Sequence, residues 1–195
     1  GAADGYARIS GKPAITLLHL GPGYANSMAN LHNAKRANSA IVNIVGDHAV
    51  WHHQHDAPLT SDVEAHVKIH SHWFKTTTSA EDLSLAGAEA VAASLSGAGK
   101  IATLVVPANH AWEASSKSFD RIPPVPLSTI SDERLEAAKR LLKNGKRTGL
   151  LLGGSALQEQ CLAYAGSIAG ATGATILGET FPACLQRGEG RVPVN

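Results

Sequence analysis

The sequence Ile15-Thr16-Leu17-Leu18-His19-Leu20-Gly21-Pro22-Gly23-Tyr24-Ala25-Asn26 decides the fold of this chain. Residues 15–18 form a short apolar run, which is typical of a buried strand. Two glycines, Gly21 and Gly23, follow the run closely, and they permit backbone angles or close contacts that a side chain would prevent. Pro22, between them, fixes its own φ angle and has no N–H group to donate. We therefore expect a strand that leads into a rigid turn over residues 21–24, followed by a helix that begins near Tyr24.

This predicted turn lies where a ligand can bind, because open α/β sheets bind ligands at the carboxyl ends of their strands. The N–H groups of the first helical turn would face such a ligand. An ordinary strand-to-helix turn with no ligand explains the same residues.

Nucleotide-binding motifs are weaker alternatives. Gly21 and Gly23 match the first two glycines of the dinucleotide fingerprint, but Asn26 stands where the third glycine belongs. The only candidate for the acidic residue of that fingerprint is Asp47. Residues 97–100 lack the earlier glycine of a P-loop and its Ser or Thr after the lysine. We therefore favour neither motif.

Four short motifs resemble the pyrimidine-binding domain of thiamine diphosphate enzymes. In chain order they are Asp4-Gly5-Tyr6-Ala7-Arg8, Gly11-Lys12-Pro13-Ala14, Gly21-Pro22-Gly23 followed by Asn26, and Asn43-Ile44-Val45-Gly46-Asp47. Their order and spacing are most similar to the large subunits of acetolactate synthases. The resemblance implies that Gly21, Pro22 and Gly23 form the wall under the pyrimidine ring, with Asn26 as a polar anchor.

The same resemblance implies roles for two further residues. Gln54 matches the position of a glutamine on the loop that reaches over the thiazolium ring, although His53 replaces the aromatic residue that precedes it in the better-known synthases. Around Leu18-His19 the sequence also resembles benzoylformate decarboxylase, whose matching histidine faces the substrate carboxylate and shuttles protons. We expect His19 to be either such a catalytic acid/base or a structural histidine before a turn.

The family chemistry would make this chain part of a 2-oxo acid decarboxylase or carboligase, a lyase or transferase that uses thiamine diphosphate and Mg²⁺. The magnesium ligands, and a glutamate that activates the cofactor, are implied to lie outside the chain, so the chain alone is expected to be inactive. Because family members bind the cofactor between two subunits, a homodimer or homotetramer is implied. A non-catalytic or regulatory homologue that serves as a binding or assembly module is the alternative.

The composition excludes some classes of partner. The 195 residues are 44% apolar and 17% charged, and the formal net charge is +1. No block of Lys and Arg points to nucleic acid or to an anionic membrane. No apolar run reaches the roughly 18 residues of a membrane span, and residues 1–20 lack the features of a signal peptide. With only two cysteines, we expect a cytoplasmic protein without disulfides. Cys161 is expected to be a core thiol on one helix face with Leu157, Tyr164 and Ile168.

Seven of the ten histidines fall between residues 48 and 72: His48, His52, His53, His55, His66, His70 and His72. A metal site is one explanation, because His66 and His70 are four residues apart and would share a helix face. However, no glutamate completes an H-E-x-x-H motif and no cysteine is near. We expect a solvated loop that partly faces the cofactor, with no metal ligand in the chain.

The order of predicted elements defines an α/β fold. Strands over residues 15–18, 41–45 and 101–106 alternate with helices over residues 24–37 and 80–95, the latter capped by Ser79. This alternation predicts a parallel sheet with helical crossovers. We expect residues 1–113 to be the C-terminal part of the pyrimidine-binding domain and residues 114–128, with three prolines, to be a linker.

Residues 129–195 are expected to begin a second, Rossmann-like α/β domain, similar to the central domain of the family. Ser131 would cap a helix through Leu142, with Leu135, Ala138 and Leu142 inward, and strands over residues 148–152 and 175–177 would flank a helix over residues 156–169. In flavin-containing synthases the central domain binds FAD, but Gly153-Gly154-Ser155 is weak evidence for it, and helix packing explains the glycines equally well. Because the chain starts as if inside a helix and ends without a domain end, we expect it to be a fragment.

Overall fold

The helices and strands follow the α/β order that the sequence predicts. The structure, a computed structural model, describes residues 1–195. The chain folds as two units, Gly1–Pro126 and Leu127–Asn195. The first contains α1 (Ala2–Ser10), β1 (Ala14–His19), α2 (Leu20–Arg36), β2 (Ile41–Asp47), a 3-10 helix (Val50–His55), α3 (Val63–His70), β3 (Trp73–Thr76), α4 (Ala80–Ser94), β4 (Ile101–Pro107) and α5 (Ala108–Trp112). The second contains α6 (Asp132–Leu142), β5 (Gly149–Leu152), a 3-10 turn (Gly154–Leu157), α7 (Glu159–Thr172) and β6 (Thr175–Gly178).

The first unit is built on a four-stranded sheet in the order β1-β2-β4-β3. All three strand pairings are parallel, which confirms the predicted parallel sheet with helical crossovers. The expectation of a loop throughout residues 48–72 is wrong, since α3 lies within that range and β3 follows it directly. Three buried residues spaced along α3, Val63, Val67 and His70, explain why a segment rich in histidine is helical.

Helices cover the two faces of this sheet. One face packs Val45, Ile101 and Val105 against Tyr24 of α2 and Val67 of α3, all of them at most 2% exposed. On the other face, the small side chains of α4, such as those of Ala86 and Ala90, allow the helix to lie close to the sheet. Ser79 caps α4 by accepting a hydrogen bond from the N–H of Asp82, as predicted.

A row of polar side chains crosses the buried sheet. Asn43, in β2, is fully buried, and its amide oxygen accepts a hydrogen bond of 2.7 Å from the Thr16 hydroxyl in β1. Its amide nitrogen donates to the Thr103 hydroxyl in β4 at 3.1 Å. Thr103 pairs in turn with the Ser71 hydroxyl at 2.6 Å, just before β3. Because Thr16, Asn43 and Thr103 are also backbone partners, the row favours one register of the three strands.

The motif Asp4-Gly5-Tyr6-Ala7-Arg8 has a structural role in α1. The Asp4 carboxylate accepts hydrogen bonds from Arg8 at 2.7 and 2.8 Å and from the buried hydroxyl of Ser39 at 2.5 Å. Burial by itself would raise the pKa of Asp4, but the hydrogen bonds from Arg8 and Ser39 outweigh it and hold that pKa below its ordinary value. The hydrogen bond from Ser39 therefore fastens α1 to the segment between α2 and β2.

The predicted linker runs along α4 up to the end of the first unit. The Glu81 carboxylate accepts a hydrogen bond from the N–H of Ser116 at 3.0 Å. The N–H of Phe119 donates to Ser84 at 2.9 Å, and the N–H of Val125 donates to Ser96 at 3.0 Å. Because the linker pairs with no strand, its backbone N–H groups need other acceptors, and these side chains supply them.

The second unit contains a parallel pair, β5 and β6, joined through α7. As predicted, the Ser131 hydroxyl caps α6. The expectation that Leu135, Ala138 and Leu142 face inward is wrong, because α6 buries no residue and Leu135 is 47% exposed. Among all the helices, none combines the length and the apolar character that a membrane span requires.

The expectation of a core thiol at Cys161 is also wrong. Cys161, Tyr164 and Ile168 are exposed, whereas the buried residues of α7 are Leu162 and Ala165. The 3-10 turn that ends at Leu157 separates that leucine from α7. The buried face of α7 therefore lies one residue further along the chain than a continuous helix from Leu157 would place it.

We predict that Asn43→Ala lowers the free energy of unfolding by about 2–3 kcal/mol, because it leaves the Thr16 hydroxyl without its acceptor, removes one of the two partners of the Thr103 hydroxyl and opens a cavity in the sheet. Urea denaturation followed by circular dichroism measures this change. Asn33→Ala, on the exposed side of α2, is the matched control and should change stability by less than about 0.5 kcal/mol. Equal, small effects of the two substitutions would show that the polar row does not stabilise the sheet.

Candidate active site

Three strands end together at the carboxyl edge of the sheet. Strand pairing places His19 beside Gly46, and Asp47 beside Pro107. A groove of about 560 Å³ opens at this edge. Its walls are mainly apolar, from Leu17, Ile44, Trp51, Leu59, Val106 and Trp112, and its polar side chains are His19, Asp47, His48 and His52. Apolar walls with a few convergent polar groups are typical of a small-molecule site.

The corner between β1 and α2 forms one end of this groove. Contrary to our expectation, α2 begins at Leu20 and not near Tyr24, so the two glycines lie in its first turn. The residue with a positive φ is Leu20, at 56°, and neither glycine has one. A left-handed backbone costs a residue with a side chain about 1–2 kcal/mol. The Leu20 side chain is only 4% exposed, so its burial offsets this cost.

Gly21 is required by a contact within the chain. A Cβ atom on Gly21 would lie 1.6 Å from the Ser61 hydroxyl oxygen and 2.8 Å from the Ser61 Cβ. Both distances are shorter than van der Waals contact allows, so only glycine lets the loop before α3 approach the corner this closely. At Gly23 the constraint is weaker, since its nearest neighbour would be the His19 Cβ at 3.4 Å.

The structure brings only one of the six predicted site residues into the groove. His19 is exposed and lines it beside Leu20. Pro22 and Asn26 are exposed on α2, outside the groove. The side-chain amide of Gln54 donates a hydrogen bond of 3.0 Å to the backbone oxygen of Trp51, in its own 3-10 helix. The cofactor-binding roles of Gly21, Pro22, Gly23, Asn26 and Gln54 therefore stay predictions.

Histidines cluster around Asp47 at the mouth of the groove. The rings of His48 and His52 lie 5.1 Å apart, and those of His52 and His55 lie 5.6 Å apart. Asp47 accepts a hydrogen bond of 2.8 Å from the N–H of His48, and its other oxygen lies 3.5 Å from the His53 Nε2. No three or more His, Cys, Asp or Glu side chains in the chain converge as metal ligands would.

The sequence did not reveal two buried polar residues near the groove, of which Asn109 supports the histidine segment. The Asn109 side chain accepts a hydrogen bond of 3.0 Å from the N–H of Val50, where the 3-10 helix begins. The ring of His110 pairs with the Thr77 hydroxyl at 2.9 Å. Both residues follow β4 at the carboxyl edge of the sheet, and that position was the signal that could have identified them.

The groove residues fit a flat heterocycle. Trp51, Trp112 and Leu17 offer apolar surface against which such a ring can pack. The Nε2 atom of His48 is buried and has no hydrogen-bond partner in the chain. A buried polar atom without a partner is unfavourable, and a polar ring substituent could satisfy it. The side chains present are therefore suited to an aminopyrimidine.

The glycine turn of the second unit, weak sequence evidence for FAD, is occupied by a side chain of the same unit. The N–H of Gly154, which would face a flavin phosphate, already donates a hydrogen bond of 2.7 Å to the Glu179 carboxylate. A carboxylate in this position repels the phosphate that the turn would have to bind.

A parallel α/β domain with a groove at its carboxyl edge is the architecture of a cofactor-binding domain. Residues 1–72 match the family model described as "Thiamine pyrophosphate enzyme, N-terminal TPP binding domain". The chain is also 45% identical over 190 residues to the Mycobacterium tuberculosis protein named "Putative acetolactate synthase large subunit IlvX". Residues 1–72 therefore form a thiamine pyrophosphate enzyme N-terminal domain, and the chain is similar to a protein named as a putative acetolactate synthase large subunit.

Solved structures of similar fold include two thiamine diphosphate enzymes. The 4-hydroxybenzoylformate decarboxylase of Rhodococcus jostii RHA1 matches with a TM-score of 0.80 at 21% identity, over 92% of this chain. A protein from Mycobacterium smegmatis, described as a "putative thiamin diphosphate-dependent enzyme", matches with a TM-score of 0.72 at 25% identity, also over 92% of this chain. The chain spans 36% of the M. tuberculosis relative and 35% of each solved chain.

We predict that Gly21→Ala destabilises the first unit by about 1–3 kcal/mol, because the new methyl group overlaps Ser61. The double variant Gly21→Ala/Ser61→Gly removes the clashing side chain and should recover most of the lost stability. Gly87→Ala in α4, where a Cβ atom meets no other atom, is the control and should stabilise by about 0.5–1 kcal/mol. Thermal or urea unfolding measures all three. A double variant no more stable than Gly21→Ala would contradict the assigned contact.

Proposed function

We propose that the protein to which this chain belongs is a thiamine diphosphate-dependent 2-oxo acid decarboxylase or carboligase of the acetolactate synthase type. The observation that carries the proposal is the groove at the carboxyl edge of the sheet, bounded by the backbone-strained Leu20 corner and by the histidines after β2. Backbone strain persists where the surrounding structure holds it, and such places are frequently functional sites. The family membership of residues 1–72 supports the assignment to thiamine diphosphate.

In this proposal the chain supplies one wall of the cofactor site. Thiamine diphosphate, when bound, supplies the nucleophilic carbon and the electron sink of the reaction. Leu17, Trp51 and Trp112 would exclude water from the ring, and His48 would hold a polar ring substituent through its unpartnered Nε2. His19 would orient the substrate carboxylate and hold or release a proton through its imidazole, as histidine does in general acid/base catalysis.

The predicted residues outside the groove would contribute at its border. Gly21, Pro22 and Gly23 form the first turn of α2, directly after the groove residue Leu20. Asn26 lies about one turn further along the same helix. The Gln54 side chain would have to release its bond to the Trp51 carbonyl and rotate in order to donate to the cofactor.

We also propose that other parts of the protein complete the site. The chain provides no cluster of metal ligands, so Mg²⁺ would be held elsewhere. Ile15, Leu17 and Trp112 are 63%, 78% and 74% exposed, and exposed apolar surface of this kind marks an interaction site. A homodimer or homotetramer in the cytoplasm, with the cofactor between two subunits, is consistent with these features.

The direct test is an activity assay of a longer protein that contains this chain and corresponds to the full length of its relatives. With Mg²⁺ and thiamine diphosphate, it should release CO₂ from pyruvate or from a larger 2-oxo acid, and product analysis should identify a decarboxylation or carboligation product. Absence of turnover with every 2-oxo acid, together with absence of cofactor binding, would instead support the non-catalytic binding or assembly module.

His19→Ala in that enzyme should lower kcat by about 10²-fold or more, the usual effect of removing an acid/base group. His55→Ala is the control, because His55 is exposed and does not line the groove. Its turnover should stay near that of the unchanged enzyme. Near-normal turnover of His19→Ala would assign His19 to the structure of the turn.

The 195-residue chain by itself should bind thiamine diphosphate negligibly and should have no activity, because it holds only one side of the proposed site. Isothermal titration calorimetry with Mg²⁺ present measures this. Tight binding by the isolated chain would contradict the proposal that a second domain or subunit is needed.

A further inference from the structure

A second cavity lies at the amino edge of the same sheet, at the other end of the strands from the groove. It has a volume of about 400 Å³ and is formed where the C-terminal ends of α2 and α3 meet the segment before β3. Its walls are His32, Lys35, Arg36, Ile69, His70 and His72. Five of these six side chains are basic, and none is acidic.

Contacts inside the cavity hold these groups in place. The Lys35 Nζ donates a hydrogen bond of 2.9 Å to the backbone oxygen of Ile69, which ties α2 to the end of α3. The rings of His32 and His70 meet edge to face, with centroids 6.2 Å apart. The Nδ1 of His72 accepts a hydrogen bond of 3.2 Å from the N–H of Ile101, so its Nε2 carries the hydrogen and can donate.

The electrostatic field in this cavity is positive and uncompensated. Burial lowers the pKa of His70, and the charge of Lys35 and the neighbouring His32 lower it further. Burial also lowers the pKa of His72, together with the charges of Lys35 and Lys100. A nearby carboxylate would have raised both pKa values, and no carboxylate lines the cavity.

Compensation of helix dipoles explains only part of this arrangement. Basic side chains are favourable in the last turn of a helix, and the bond from Lys35 to Ile69 is such an interaction. Of the five basic side chains, only Lys35 donates a hydrogen bond to a carbonyl at these helix ends, so helix capping does not explain the other four.

We propose that this cavity binds the phosphate group of a small phosphorylated molecule. The lysine, arginine and imidazole groups offer more hydrogen-bond donors than the two oxygens of a carboxylate ligand can accept. The three terminal oxygens of a phosphate monoester suit this number of donors better. The cavity is larger than a phosphate group, and Ile69, which is 55% exposed, provides an apolar wall for the organic part of the ligand. This site does not depend on thiamine diphosphate or on the groove.

The test is a titration of the 195-residue chain with inorganic phosphate at pH 7 and constant ionic strength, followed by NMR of the histidine ring protons. The resonances of His32, His70 and His72 should shift along a saturable curve with a Kd on the order of 1 mM, a typical weak-site affinity. Bound phosphate should also raise the pKa values of His70 and His72, because an anion favours their charged forms. The resonance of His66, on α3 but outside the cavity, should not respond.

Variants separate binding from stability. Arg36→Gln removes a cavity cation without removing a hydrogen bond of the fold and should weaken phosphate binding about tenfold, the scale of a charge-assisted hydrogen bond. Lys68→Gln, near the end of α3 but outside the cavity, is the matched control and should bind phosphate normally. Linear, non-saturating shifts, equal affinities of Arg36→Gln and Lys68→Gln, or acetate binding as tight as phosphate binding would each overturn the proposal.

Discussion

The register of the parallel sheet depends on one row of buried hydrogen bonds, from Thr16 through Asn43 to Thr103. Hydrophobic contacts alone would let neighbouring strands slide, whereas a buried amide between two hydroxyls loses its partners when a strand shifts by one residue. This row therefore aligns the ends of β1, β2 and β4 at one edge. The groove, the Leu20 corner and the histidine segment all follow from that alignment.

The site edge combines strain with close packing. Leu20 has a left-handed backbone, and Gly21 lies against Ser61 so closely that no side chain fits between them. Asn109 fixes the start of the histidine-bearing 3-10 helix from the end of the neighbouring strand. The Leu20 backbone costs free energy locally, and the packing of Gly21 and the hydrogen bond of Asn109 help to hold the corner and the histidine segment in place. This combination is typical of a binding surface whose shape is set before a ligand arrives.

Much of the fold could be predicted from the sequence, because the β1–α2–β2 order, the capping serines at positions 79 and 131, and the family motifs are local signals. The candidate site was harder to predict from the sequence, because its main features join residues that are far apart in the chain. No composition rule predicts a positive φ at Leu20, and the contact between Gly21 and Ser61 joins residues 40 positions apart. The buried row was missed because Thr16 and Asn43 have the polarity of solvent-facing strand residues. Cys161 was misplaced because a 3-10 turn changes the helical phase.

We propose that the first unit forms one wall of a cofactor site that other parts of the protein complete. Its residues 1–72 match the N-terminal domain of thiamine pyrophosphate enzymes, and we propose that its groove receives the aminopyrimidine ring. The most direct test is a crystal structure of a protein containing this chain, bound to thiamine diphosphate and Mg²⁺. We predict that the aminopyrimidine ring lies within about 4 Å of the Leu20 corner and of His48, at van der Waals or hydrogen-bond distance. A ring bound at the amino edge of the sheet, or a groove filled by the protein's own side chains, would contradict this assignment.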